Sequence, residues 1–140
     1  MPLKITALTS IIVLLPMFYL LLASPAFLLV RLDIPQVAYL LRAVFFGYFL
    51  VLVVMGLIAV TLNALDGRLF AAIVAGLLTS FVLVWRHWMM RGLNAVLLEV
   101  QAGSEGAGSR MRRLHWIGMG TNALLTATMV ALIPSLVVVV

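Results

Sequence analysis

A chain of 140 residues with 66% hydrophobic residues, 9% charged residues and no cysteine lies far from a soluble globular domain, in which about one residue in four is charged. Its mean hydropathy of +1.28 points to an integral membrane protein with room for four spans of about 20 residues and none for a soluble domain between them. The net charge of +5 sits at the ends of apolar segments, where headgroups and topology account for it, so no nucleic-acid partner is called for. The lack of cysteine excludes disulfides, iron–sulfur clusters and thiolate metal sites.

The first span covers residues 5–30, after Lys4. It is too long for a signal-peptide core and is read as retained. Pro16 and Pro25 predict a kink or local unwinding, with the freed carbonyls met by neighbouring helices or by Ser24. A polar turn at 31–36, stopped by Pro35, leads to a second span over 37–62, whose Arg42 is close enough to the end to snorkel to the headgroups. Asp66-Gly67 marks the next turn. The third span, 69–92, runs without a breaker into an amphipathic stretch towards Gln101, which predicts a helix protruding from the bilayer. Trp85, Trp88 and Trp116 form an interfacial aromatic belt on that side. Residues 102–109, rich in glycine and serine, read as a flexible linker before a fourth span over 114–138, bent near Pro134.

Arginine and lysine divide unevenly between the two sides. Arg31, Arg42, Arg86, Arg91, Arg110, Arg112 and Arg113 fall on one, and Lys4 and Arg68 on the other. The bias places the first and third loops in the cytoplasm and both termini outside. The expected architecture is an all-α integral membrane four-helix bundle, N-out and C-out, with helix 3 protruding into the cytoplasm, in the inner membrane of a bacterium.

Polar residues inside spans carry the functional reading. His115, Gly118, Asn122 and Thr126 recur at helical spacing and form one polar seam on the fourth span. An amide in hydrocarbon must hydrogen-bond, so Asn122 should face another helix or a ligand, with interhelical glue as its ordinary role. Tyr19, Tyr48, Ser24 and Thr79 are the candidate partners, and the sequence does not register them against Asn122. His87 and His115, near the cytoplasmic ends of adjacent helices, suit a bis-histidine haem b site. Met111, His115 and Met119, four residues apart, offer a soft set suited to copper. Against these stand the commoner roles of interfacial histidines and of methionines that fill gaps in packed helices. No serine or threonine nucleophile comes with an identifiable base, and no paired carboxylate lies in the membrane.

Arg113-Leu114-His115 followed by Asn122 resembles the last helix of a family of small four-span proteins, domain of unknown function 4149, which includes proteins similar to eukaryotic transmembrane protein 205. Pro25-Ala26-Phe27, Val44 to Tyr48 and Leu93-Asn94 are weaker matches, and the resemblance covers nearly the whole chain. Where the family usually has serine three residues after the histidine, this chain has Gly118. The resemblance implies a four-span topology and, through relatives linked to tolerance of platinum drugs, handling of soft metals or amphiphiles. The expected function is that of a non-enzymatic accessory or transport-related subunit in contact with the lipid bilayer, acting as a homo-oligomer or within a larger membrane complex. The alternatives are a haem- or copper-binding redox protein and a cofactor-free enzyme holding a lipophilic substrate between helices one and four, with His115 as base.

Overall fold

The computed structural model describes residues 2–138. Four helices follow in order: α1 Pro2–Ala23, α2 Pro35–Leu65, α3 Leu69–Gln101 and α4 Ala107–Val138, with a 3-10 segment, Ser24–Leu28, continuing α1. All four are long and apolar enough to cross a membrane. α1 packs against α2 and α4, and α3 packs against the same two, so the helices close into a ring. The short connections make sequence neighbours antiparallel.

The predicted kinks in the first span resolve differently at the two prolines. Pro16 is buried within continuous α-helix. At Pro25, which lacks an N–H, the chain tightens to 3-10 and then leaves the helix. Arg112 of α4 meets the carbonyls at that end, donating to Val30 at 2.7 Å and Leu28 at 3.4 Å. The negative end of the first span thus rests on a guanidinium from the last. In the same connection Arg31 donates two hydrogen bonds to the Asp33 carboxylate, which hold that carboxyl below the usual carboxylate range.

One element differs from the sequence reading. The stretch 102–109 is not a linker throughout, because α4 begins at Ala107 and the turn is confined to 102–106. Gly103 and Gly106 supply its left-handed backbone, at φ of 71° and 73°. The small residues after them serve packing. Ala107 is buried, and a Cβ at Gly108 would lie 2.8 Å from the Asp33 Cβ, so only glycine lets α4 start against the first connection. This contact also holds the first and third connections together at one end of the bundle, beside Arg31 and the arginines of the first turns of α4.

The end of α3, expected to protrude from the bilayer, remains packed within the bundle. At 33 residues the helix is about 50 Å long, against about 30 Å of hydrocarbon. Its last third nevertheless buries Leu93, Val96, Leu97 and Val100. The apolar face read as the amphipathic end of a protruding helix packs against the neighbouring helices.

The core centres on Phe45, Phe49, Leu20, Leu41, Met89 and Met111, all 1% exposed or less. Glycines separate into those that meet a neighbour and those that do not. A Cβ at Gly56 would lie 2.3 Å from the Thr79 hydroxyl, marking the close approach of α2 and α3, whereas one at Gly47 would meet nothing within 4 Å. Gly47→Ala is therefore expected to stabilise the bundle by up to about 1 kcal/mol through helix propensity alone, read as a raised unfolding midpoint in detergent.

Candidate functional site

The seam on α4 faces the interior, and the structure supplies the partners that the sequence left open. Asn122 is 1% exposed. Its Oδ1 accepts the Tyr48 hydroxyl at 2.5 Å and its Nδ2 donates to the Met17 carbonyl at 3.0 Å, so one amide ties α4 to α2 and α1. Thr126 donates to the Asn122 carbonyl of its own helix at 2.8 Å and needs no partner elsewhere. Gly118, a turn before Asn122, leaves the space that the Phe45 ring fills; a Cβ there would lie 2.5 Å from two ring carbons and 2.9 Å from the Met89 methyl. Tyr48 and Phe45 thus bridge α2 and α4 across the diagonal of the ring.

His115, fully buried, sits between Phe27 and Phe45, each in edge-on ring contact. Its Nε2 lies 2.7 Å from the Ser24 hydroxyl and 3.0 Å from the Ser24 carbonyl. Here a serine does meet a base, although the two are 91 residues apart in the chain. Pro25 brings this about by ending the regular helix at Ser24.

Nδ1 of His115 is buried without a partner. A carbonyl only accepts, so the tautomer protonated at Nε2 satisfies the Ser24 carbonyl and leaves a lone pair at Nδ1. The other tautomer accepts the serine proton but leaves a buried N–H without an acceptor, which is the rarer and costlier defect. The first tautomer therefore fits this environment better, and in it the histidine fastens the broken end of α1 to α4. Ser24→Ala keeps the carbonyl bond and removes only the hydroxyl that shares the imidazole N–H, so it is expected to cost less than about 1 kcal/mol. Thermal unfolding in detergent would measure it.

The two histidines are placed apart. His87 is exposed on α3 whereas His115 is sealed inside, and no contact joins them among the described residues. Met111 is fully buried and Met119 half-buried. With Nε2 of His115 turned to Ser24, Nδ1 is the one imidazole nitrogen left for a soft metal. Among the described residues no three His, Asp or Glu side chains gather at a point.

A second polar cluster, at the opposite end of the bundle, was not anticipated. Asn63, 2% exposed, accepts the Thr6 hydroxyl at 2.8 Å and donates to the Thr9 hydroxyl at 3.1 Å and to the Ala59 carbonyl at 2.8 Å. Ser10 donates to the Thr6 carbonyl at 2.8 Å. The cluster borders an interior cavity of about 40 Å³ whose other walls include Val13, Gly56, Thr79 and Leu125. Its signal in the sequence was Thr6, Thr9 and Ser10 on one helical face, level with an asparagine one turn before Gly67.

Comparison with known proteins returned no matching family model, no matching curated protein and no matching solved structure.

Proposed function

We propose that this is a non-enzymatic integral membrane protein, an accessory or transport-related subunit that acts through its outer helix faces, as a homo-oligomer or within a larger membrane complex. The observation that supports this reading is how the interior polar groups are used. Ser24 and His115, Tyr48 and Asn122, and Thr6, Thr9 and Asn63 are turned to one another across helices, and the cavity among the four helices is only about 40 Å³. The larger space, about 600 Å³ and lined by Pro16, Tyr19, Gly47 and Met55 among others, is an open groove between α1 and α2 rather than a chamber inside the bundle, so a transport path would lie between copies. By the arginine bias the 29–34 and 102–106 connections would face the cytoplasm. Membership of the family of domain of unknown function 4149 is proposed on Arg113-Leu114-His115 and Asn122. Particle mass in mild detergent, with cross-linking in the native membrane, tests the reading. A defined multimer or constant companion polypeptides are expected, and a lone monomer at every detergent concentration would overturn it.

The Ser24–His115 contact favours a second reading, an enzyme acting on a lipophilic substrate at the junction of α1 and α4. A hydroxyl 2.7 Å from an imidazole nitrogen has the spacing of a nucleophile and its base. Against it, Ser24 is 1% exposed and the favoured tautomer carries a proton on the nitrogen that would act as base. Covalent labelling by a lipophilic fluorophosphonate, lost in Ser24→Ala and His115→Ala, would establish this reading. Absence of labelling in the folded wild type would dismiss it.

A further inference from the structure

We propose that Arg42 and Arg86, at the junction of α2 and α3, bind the phosphate of an anionic phospholipid. The two guanidinium groups come from different helices to the same ring. The Cζ of Arg42 is 5.4 Å, and that of Arg86 5.7 Å, from the centroid of Phe46. Neither arginine is in an ion pair among the described residues; those of Arg31 with Asp33 and Arg110 with Glu99 lie elsewhere. Arg42 spends its Nε on the Asn94 side-chain oxygen at 2.9 Å, which orients the rest of its fork. Among the described residues Arg86 makes no hydrogen bond, and its Nε is buried and unpartnered.

Two like charges drawn to one aromatic ring repel each other, more strongly at a half-buried site than in water. The ring contributes a modest cation–π attraction to each. An anion with two free oxygens would offset the repulsion and supply the missing acceptors, and the planar fork of arginine matches such a group.

The depth suits a lipid. α2 has 31 residues and is about 46 Å long, so it overhangs a 30 Å hydrocarbon core by about 8 Å at each end. Arg42 lies two turns in from Pro35, at the boundary where headgroup meets hydrocarbon. Phe46 and Leu50, one turn apart on α2, are both exposed and continue the site towards the bilayer centre as a surface for an acyl chain.

The test uses the full chain purified in detergent and exposed in turn to phosphatidylglycerol and phosphatidylcholine with identical acyl chains. Native mass spectrometry then counts the lipid each molecule retains. One phosphatidylglycerol per chain is expected, held at least tenfold better than phosphatidylcholine. Retention should fall about tenfold in Arg42→Gln and in Arg86→Gln, and remain unchanged in Arg113→Gln, an exposed arginine of α4 at the same end. Equal retention of the two lipids by the wild type would overturn the proposal even where a variant fails to fold. So would an equal loss in Arg113→Gln, which would mean attraction by overall charge, or full displacement of the lipid by millimolar inorganic phosphate, which would assign the site to a free anion.

Discussion

Gly118→Leu is expected to destabilise the bundle by about 3 kcal/mol, near the upper end of what overpacking of a well-filled core costs. Gly120→Leu, two residues further along the same helix, is expected to be neutral or slightly stabilising. A side chain at 118 would enter the space of the Phe45 ring, which is fully buried and packed against His115 and Phe49, so the ring has nowhere to retreat. At Gly120 a Cβ meets nothing within 4 Å, and leucine forms helix better than glycine by a little under 1 kcal/mol. Unfolding by denaturing detergent would measure both. Equal effects at the two positions would mean that the diagonal contact between α2 and α4 does not hold the bundle together. The prediction also bears on the hydroxyl that the resembling family carries at this position, because Gly118→Ser would place its Cβ against Phe45 in the same way.

The seam was legible because a helical period needs only one chain segment. His115, Gly118, Asn122 and Thr126 fall on one face whatever they meet. Their partners were not legible, since the register of one helix against another is set by the packing of many apolar side chains that resemble one another in sequence. Tyr48 was among the candidates for Asn122, whereas Ser24, named for the same amide, meets His115 instead, and the Met17 carbonyl could not be foreseen because every residue has one. Asn63 was obscured by its neighbours: so close to Asp66-Gly67 it read as part of a turn, whereas α2 runs on to Leu65 and keeps the amide inside. The start of α4 was obscured by composition. Ala107, Gly108 and Ser109 look like linker, yet they are small because a helix must begin there against Asp33.

Asn122→Ala is expected to cost about 2 kcal/mol, and the reason separates it from an ordinary core truncation. The amide bonds to two other helices at once, through the Tyr48 hydroxyl and the Met17 carbonyl. Hydrogen bonds between membrane helices are worth about 0.6 kcal/mol on average and up to about 1.7 kcal/mol. Removing the amide also leaves the Tyr48 hydroxyl, in a residue 4% exposed, without its acceptor. Tyr48→Phe removes the donor alone and is expected to cost about 1 kcal/mol. Once Asn122 is gone, the hydroxyl is an unsatisfied group, and replacing it with hydrogen should cost nothing or restore stability. The double variant is therefore expected to be no less stable than Asn122→Ala, with a coupling of about 1 kcal/mol in the mutant cycle. Simple additivity would mean that the contact contributes nothing to stability, and the search for the role of Asn122 would then move from helix packing to a ligand bound between α1 and α4.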